Sequence, residues 1–276
     1  MKTYTLGYSP CPNDTYIFRA IAEGKIDLPF GLDITLADVE MLNRRVSMSL
    51  LDISKISTSA ALNIAGRYWL LRSGGAMGRG CGPLVVSARP ATLKDLRDAT
   101  IATPGDLTTA NLLLRLEGTH AGKRVPMQFD QIMPAIAAGE VDAGVIIHEG
   151  RWVYGEYGLC EVLDLGRWWE EQTSLPLPLG AIAVRRDLGR DFAAEVEEKI
   201  RESLEFSIKD PEGAWPYMET YAQEMSPEVI RLHLDAFVNE FSLNAGIEGE
   251  KAMEKLVRAA CELENRPFPQ QGLFWS

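Results

Sequence analysis

Along the first two-thirds of the chain, stretches in which polar and apolar residues alternate are followed by stretches in which apolar residues recur every three or four positions. Residues 3–8 show the alternation of a strand, and residues 16–22 show the periodicity of an amphipathic helix. Asn13 and Asp14, both helix-capping residue types, precede that helix, and Gly24 follows it. The same patterns predict strands over 33–39, 51–56, 68–72 and 84–87, with helices over 41–50 and 57–65.

A second set of alternating elements begins near residue 100. Strands are predicted over 100–103, 125–129, 142–148, 159–163 and 181–184, and helices over 108–116 and 131–138. From Gly189 onward the pattern is helical only, with Pro211 and Pro227 at helix starts. Strands that alternate with helices predict an α/β protein with mainly parallel sheets covered on both faces.

The order of the elements predicts two lobes. Residues 1–88 and the returning segment 178–276, with its C-terminal helices, form lobe one, and residues 89–177 form an inserted α/β lobe two. Two chain crossings would create a central interlobe cleft lined by strand ends and helix N-termini. Open α/β sheets bind ligands at such edges, so we expect the functional residues there.

The composition is that of an ordinary globular protein. Of 276 residues, 46% are hydrophobic and 24% are charged, and a chain of this length buries about 73% of its unfolded surface. Its four cysteines and three histidines are scattered without metal-ligand spacing, which predicts no metal site. The first residues contain no signal-peptide-like apolar run, and no segment approaches the length of a membrane span. We therefore expect a cytoplasmic protein.

Charge argues against nucleic acid or an anionic membrane as a partner. The formal net charge is -11, and residues 190–262 hold 17 acidic but only 8 basic side chains. Polyanion binding needs clustered lysine and arginine. Because the acidity is concentrated in the helical tail, a site elsewhere can still bind a small anionic molecule.

The segment SPCPNDT, residues 9–15, follows the first predicted strand. One interpretation is a rigid loop in which two prolines stiffen the turn and Asn13 and Asp14 cap a helix. The other is that Asn13, Asp14 and the helix N–H groups contact a ligand at the strand's C-terminal end. Cys11 would be a nucleophile if the helix lowered its pKa, but no histidine is nearby in the sequence.

The segment DISKIST, residues 52–58, places Lys55 at the end of another predicted strand. Lys55 is either a surface lysine next to a capping Ser57, or an ammonium group beside a helix N-terminus that binds a carboxylate.

In ATPGDLTTANLLL, residues 102–114, Thr108 and Thr109 precede an apolar helix. They either cap the helix or, with the N–H groups of Thr109 and Ala110, bind an anion or a hydroxyl group.

The segment VDAGVIIHEGR, residues 141–151, places His148 at the C-terminal end of an apolar strand. An imidazole can accept a proton near neutral pH, so His148 is the best general-base candidate, the alternative being a buried structural histidine.

We interpret His120 as an exposed loop residue and His233, inside a helix, as structural. The glycine-rich residues 74–82 match no phosphate-binding motif and indicate a flexible or tightly packed connection.

Taken together and in this order, SPCPNDTYIF, SKIST, GAMGRGCGPLVV, PGDLTTANLLL and VIIHEGR resemble the 1,4-dihydroxy-6-naphthoate synthases of the futalosine route to menaquinone. The resemblance extends from Leu6 to about Phe241. It implies a fold like the type II periplasmic binding proteins, used as an enzyme without metal or organic cofactor.

The resemblance also implies a reaction and site residues. The substrate would be cyclic dehypoxanthinyl futalosine, a carboxylated bicycle joined to a sugar remnant, and the enzyme would be a carbon–carbon lyase. The family's histidine base corresponds to His148, and its substrate-contacting segments correspond to Lys55, Ile56 and Ser57 and to Thr108–Ala110. Removing one proton would start C–C cleavage, and formation of the second aromatic ring would drive it.

Three alternatives share parts of this pattern. A solute-binding protein would use the same cleft without catalysis, but would carry an export signal. The effector-binding module of a regulator would need a DNA-binding helix pair and a basic surface. A chorismate dehydratase-like enzyme of the same pathway is the closest alternative, and the SPCPNDT and IIHEGR segments favour the synthase over it.

Overall fold

A computed structural model describes residues 2–222 and 226–276. Its strands, numbered along the chain, are β1 Thr3–Tyr8, β2 Gly31–Leu36, β3 Ile53–Ser57, β4 Tyr68–Leu70, β5 Ala76–Gly78, β6 Leu84–Ser87, β7 Ile101–Thr103, β8 Arg124–Pro126, β9 Ala143–Ile146, β10 Cys160–Asp164 and β11 Leu177–Arg185. Its helices are α1 Pro12–Ala22, α2 Val39–Ser47, α3 Ala61–Ile64, α4 Thr109–Glu117, α5 Phe129–Ala137, α6 Gly150–Val153, α7 Leu165–Thr173, α8 Arg190–Lys209, α9 Pro211–Tyr221, α10 Pro227–Phe237, α11 Glu240–Leu243 and α12 Gly246–Leu263.

The chain divides into two compact units. The first comprises Met1–Gly78 and Pro178–Ser276, and the second comprises Arg79–Leu177. The sequence prediction placed the first boundary after residue 88, which assigned β6 to the first lobe. In the structure β6 pairs with β9 and β10 of the second unit, so the chain leaves the first unit before this strand. A strand's own residues do not identify its partners, which is why the pattern misplaced it.

Each unit contains one mixed sheet, and the two sheets have the same strand order. In the first sheet the order is β2-β1-β3-β11-β4, with β5 also paired to β11. In the second it is β8-β7-β9-β6-β10. In each, three parallel strands are followed by an antiparallel one, β11 or β6.

The expectation of mainly parallel sheets is therefore only half right. β6 is the first strand after the chain enters the second unit, and β11 is the strand in which the chain returns to the first unit. Neither continues a strand–helix–strand crossover within its own sheet, so the connection that enforces parallel pairing is missing. Without that connection the two strands are free to pair antiparallel, as β11 does with β3 and β6 does with β9.

Apolar side chains from the sheets and their covering helices form a separate core in each unit. In the first unit, Tyr8 of β1 stacks on Phe18 of α1 with ring centroids 4.6 Å apart, and α1 packs on α8. In the second unit, Val86, Ala102 and Ile132 belong to one buried cluster. Val86, Ala102 and Ile132 all lie in strands or helices that the sequence predicted.

Several predicted boundaries need correction; the strand predicted over 125–129, for example, ends at Pro126. Helix α1 begins at Pro12, four residues before the predicted helix, because proline is favoured in the first helical turn. Asn13 and Asp14 consequently lie inside the first turn, and Cys11 occupies the N-cap position. The predicted all-helical tail ends at Leu263, and Leu70 forms a bridge with Phe274. Residues 223–225, part of that prediction, lie outside the described residues.

The glycine-rich connection is tightly packed in part. A Cβ atom on Gly82 would lie 2.3 Å from the Cα of Gly166, so the two backbones touch where the connection passes the start of α7.

In the described parts of the chain, none of the helices has the length and apolarity needed to cross a membrane.

We predict that Gly82→Ala destabilises the protein, because neither backbone can yield easily to the added methyl group. The expected loss is about 1–3 kcal/mol, or a melting temperature lower by about 2–4 °C per kcal/mol. Thermal denaturation followed by circular dichroism measures it. Gly155→Ala is the matched control, because a Cβ atom there meets nothing within 4 Å. Equal melting temperatures for the two variants would contradict the prediction.

Candidate functional site

Polar residues cluster at one edge of the first unit's sheet. β1 and β3 are parallel neighbours, so their C-terminal ends lie at the same edge. The first turn of α1 follows β1 there and carries Asn13 and Asp14, while Lys55 lies near the end of β3. Lys55 Nζ lies 2.5 Å from Asp14 Oδ1, which joins the two predicted segments directly.

The Asp14–Lys55 ion pair is buried, which rules out the interpretation of Lys55 as a surface lysine. The residues are only 1% and 4% exposed. Asp14 Oδ2 accepts hydrogen bonds from the Ser9 amide at 3.2 Å and the Ser9 hydroxyl at 2.7 Å, and Oδ1 accepts one from Asn13 Nδ2 at 2.8 Å. Four donors thus surround one carboxylate, so the lone pairs of this buried ion pair are satisfied by hydrogen bonds.

The ammonium group of Lys55 also donates to the carbonyl oxygen of Gly74 at 3.1 Å. An ammonium has three N–H donors. Within residues 2–222 and 226–276, Asp14 and Gly74 account for two of them. These two acceptors leave one N–H donor of the Lys55 ammonium group for a further acceptor.

Ile56 and Ser57 follow Lys55 in β3 but point to different partners. Ser57 was predicted to cap the next helix, but its side chain makes no capping hydrogen bond. Asn43 of α2 instead donates to the Ser57 hydroxyl at 3.0 Å and accepts from the Ser57 amide at 2.8 Å. Ile56 is fully buried, so its side chain serves the core.

Three residues at this edge were not assigned a site role from the sequence: Asn43, Ser9 and His233. His233 Nε2 lies 2.8 Å from Asn13 Oδ1, although 220 residues separate the two. Ser9 belongs to the SPCPNDT segment, in which Asn13 and Asp14 were selected as candidates. Its place in that segment could therefore have identified it as a site residue. Asn43 and His233 lie in ordinary amphipathic helices, and nothing in their local sequence distinguishes them.

Two tyrosines form a further buried contact near this edge. The hydroxyl of Tyr8, at the end of β1, lies 2.6 Å from that of Tyr217 in α9. Burial, reinforced by the hydrogen bond and by nearby tyrosine and Asp14 charges, raises the pKa of Tyr8. Burial also raises the pKa of Tyr217. Both phenols therefore remain protonated hydrogen-bonding groups at neutral pH.

The corresponding edge of the second unit's sheet carries the other predicted residues. β7 and β9 are parallel neighbours, so α4, which follows β7, and His148, which follows β9, lie at one edge. Thr108 is the N-cap of α4. Its hydroxyl accepts a hydrogen bond from the backbone N–H of Asn111 at 3.2 Å and donates one to the Gly105 carbonyl oxygen at 2.8 Å. Thr109 and Ala110 are buried in the first turn of that helix.

His148 is half-buried and has a left-handed backbone, with φ of 55°. Its ring lies edge-on to Phe129, the first residue of α5, with centroids 5.2 Å apart. Arg151, three residues later, donates to the Gly82 carbonyl at 2.9 Å and to Asp164 Oδ2 at 2.7 Å. The Phe129 ring beside the imidazole and the Arg151 contacts after it limit the positions of the imidazole.

Two cysteines and one histidine outside these clusters are removed from solvent. Cys11 is buried at the N-cap of α1. Burial, together with the negative charge of Glu170, raises the pKa of the Cys81 thiol to about 12, so it is not a thiolate at neutral pH. The prediction that His120 is exposed is wrong: it is buried, with Nε2 2.9 Å from the Ala99 carbonyl oxygen.

Sequence comparison finds close relatives along nearly the whole chain. The chain is 48% identical over 262 residues to a Thermus thermophilus protein named 1,4-dihydroxy-6-naphthoate synthase, covering 94% of each chain. It is 42% identical over 266 residues to a Streptomyces coelicolor protein with the same name, again covering 94% of each.

Comparison of structures gives the fold. A crystal structure of a protein from Archaeoglobus fulgidus, 35% identical, matches with a TM-score of 0.89 over 95% of this chain and 98% of that one. The periplasmic aliphatic sulphonate binding protein of Escherichia coli, 12% identical, matches with a TM-score of 0.65 over 97% and 89%. The predicted periplasmic-binding-protein-like α/β fold is confirmed.

The profile of a protein family described as "Menaquinone biosynthesis" matches residues 4–262. Both curated relatives carry the synthase name that the sequence motifs resemble, so the predicted resemblance is confirmed. With this family profile and these identities over almost its full length, the chain belongs to the menaquinone biosynthesis family.

Proposed function

We propose that this protein is a lyase that converts cyclic dehypoxanthinyl futalosine to 1,4-dihydroxy-6-naphthoate. The observation that carries the proposal is the 48% identity, over 94% of both chains, with a relative named for the formation of that product. All five motifs behind the sequence resemblance lie within the region matched by the family profile, residues 4–262.

His148 is the general base of the proposed reaction. It removes one proton from the sugar-derived part of the substrate, after which the C–C bond to the sugar remnant breaks, that remnant departs as a separate fragment, and the second ring becomes aromatic. A half-buried imidazole at the end of β9 is accessible to a substrate and can accept a proton near neutral pH. The edge-on Phe129 ring and the left-handed turn restrict the direction of the imidazole, as a base must be positioned within hydrogen-bond reach.

At the polar edge of the first unit's sheet, Lys55 binds the substrate and its neighbours hold it in place. Lys55 donates its third N–H to an oxygen of the substrate. The strongest acceptor on the substrate is its carboxylate group. The positions of β3 and of the ammonium group are maintained by Asn13, Asp14 and Ser57. Ile56 contributes to substrate binding through its backbone. In the second unit, the Thr109 hydroxyl and the N–H groups of Thr109 and Ala110 bind further oxygens, while Thr108 fixes the start of α4.

The decisive experiment is incubation of the purified protein with cyclic dehypoxanthinyl futalosine, with naphthoate formation followed by absorbance or fluorescence. Product formation supports the proposed function. Binding without turnover would indicate a solute-binding role, which the same fold performs in the sulphonate binding protein. Turnover of chorismate instead would indicate the dehydratase of the same pathway.

We predict that His148→Asn removes turnover and preserves folding. Asparagine is among the residues that best tolerate a left-handed backbone, but it cannot act as a base near neutral pH. The expected loss in kcat is about 10²- to 10⁴-fold, with the substrate dissociation constant changed little. Single-turnover kinetics and equilibrium binding measure the two quantities separately. A kcat close to that of the unsubstituted protein would exclude His148 as the base.

We predict that removing the Lys55 charge weakens substrate binding, provided the charge of Asp14 is removed as well. Lys55→Met alone leaves a buried carboxylate without its cation and is expected to cost about 3–5 kcal/mol of stability. The double variant Asp14→Asn/Lys55→Met avoids this cost, and its KM should rise about tenfold to hundredfold, the value of a charged hydrogen bond. Chemical denaturation and steady-state kinetics test the two parts. An unchanged KM in the folded double variant would refute the Lys55 contact.

We predict that Thr109→Val raises KM about two- to tenfold, because valine keeps the shape of threonine but removes one neutral hydrogen bond. Thr108→Ala is the comparison: it removes the N-cap and should lower stability by about 1 kcal/mol while KM changes little. Steady-state kinetics and thermal denaturation of both variants measure the difference. If the KM effect followed Thr108 instead, the assignment of the two threonines would be reversed.

A further inference from the structure

We propose that His233 is a positioning residue that fixes the ammonium group of Lys55 through Asn13 and Asp14. This role deepens the proposed function and rests on it, because the importance of Lys55 comes from its proposed contact with the substrate. His233 itself need not touch the substrate.

Four side chains from three elements form one hydrogen-bonded series within the first unit. His233 of α10 lies with Nε2 2.8 Å from Asn13 Oδ1, and Asn13 Nδ2 lies 2.8 Å from Asp14 Oδ1. Lys55 Nζ of β3 lies 2.5 Å from the same Asp14 oxygen. Every member is at most 4% exposed, and His233 is completely buried. The series therefore connects a helix near the end of the chain to the proposed substrate-binding lysine.

The direction of each hydrogen bond in the series follows from the chemistry of its members. An ionised carboxylate only accepts hydrogen bonds, so the Asn13 amide must direct its NH2 group at Asp14 and its oxygen at His233. The oxygen requires a donor, so Nε2 of His233 carries a proton. His233 therefore holds the one amide orientation of Asn13 in which Asp14 receives a hydrogen bond.

Packing alone does not require an imidazole at this position. The buried face of α10 consists of Ile230, His233 and Phe237, spaced as an apolar stripe, and the imidazole lies 4.7 Å from the Phe237 ring. Burying an imidazole costs free energy unless its N–H finds an acceptor. Among the interactions that an apolar side chain could not supply is the directed hydrogen bond to Asn13.

Loss of the His233 donor should displace the lysine. The Asn13 oxygen would become a buried acceptor without a donor, so the amide would have to move to regain a partner, and its hydrogen bond to Asp14 would be lengthened or lost. Asp14 Oδ1 holds both Asn13 and Lys55, so a shift of the carboxylate moves the ammonium group with it. The effect should appear in substrate binding rather than in the proton-transfer step assigned to His148.

The test uses three variants of the full chain. His233→Phe keeps a ring against Phe237 but removes the donor, and His233→Gln restores a donor at nearly the position of Nε2. His120→Phe is the matched control, because it also removes a buried histidine that donates to an oxygen, that of Ala99. If His233→Phe does not fold, His233→Met fits the same apolar face and replaces it.

Two measurements are made on each variant: the ¹⁵N resonance of the Lys55 ammonium without substrate, and steady-state kinetics. In His233→Phe we expect a shifted or lost Lys55 resonance and a KM raised about tenfold with kcat within about threefold, the pattern of lost binding. His233→Gln should restore both, and His120→Phe should change neither. In the Asp14→Asn/Lys55→Met background, His233→Phe should alter KM by less than about twofold, because it acts through those residues.

The outcomes separate this inference from the proposed function. An unchanged Lys55 resonance in His233→Phe overturns the positioning role, whatever the activity. In an active enzyme, an unchanged KM, or an equal KM effect in the double-variant background, also overturns it. A resonance shift that His233→Gln reverses supports the positioning role even if the chain does not convert the substrate, in which case only the proposed function fails.

Discussion

The buried ion pair between Asp14 and Lys55 is the constraint on which the first unit's polar edge depends. A charge pair at this depth persists only if its remaining lone pairs and protons are satisfied. Ser9, Asn13 and Gly74 supply those partners, and His233 in turn fixes Asn13. Gly180 leaves room for the lysine, because a Cβ atom there would lie 2.9 Å from Lys55 Cε. Several otherwise unrelated residue choices thus follow from one interaction.

The two sheets have the same strand order, and the candidate residues occupy equivalent positions in both. In the first unit they lie at the start of α1, after β1, and at the end of β3. In the second they lie at the start of α4, after β7, and just beyond the end of β9. Parallel neighbours bring these positions together at one edge of each sheet. The repeated topology provides equivalent locations, and the side chains there differ: an ion pair in one unit, an imidazole and hydroxyl groups in the other.

Local patterns predicted much of the fold and many of the candidate residues. β1 and β6 were predicted at their observed residues, and Asn13, Asp14, Lys55 and His148 were selected from their places at strand ends. What the sequence could not provide was pairing between distant segments. Lys55 meets Asp14 across 41 residues and His233 meets Asn13 across 220, and no local periodicity encodes such contacts. The same limitation made Lys55 resemble a surface lysine and assigned β6 to the wrong unit.

The backbone at His148 shows how local stability and the proposed chemistry oppose each other. A left-handed residue other than glycine costs of order 1–3 kcal/mol, and glycine would relieve that cost at φ of 55°. The turn is nevertheless held in place by Arg151, which donates to Gly82 and Asp164. Such anchoring compensates for strain at one residue by contacts made at another. Strain of this kind persists where a side chain must point in a direction that a relaxed backbone would not give it, and a general base has that requirement.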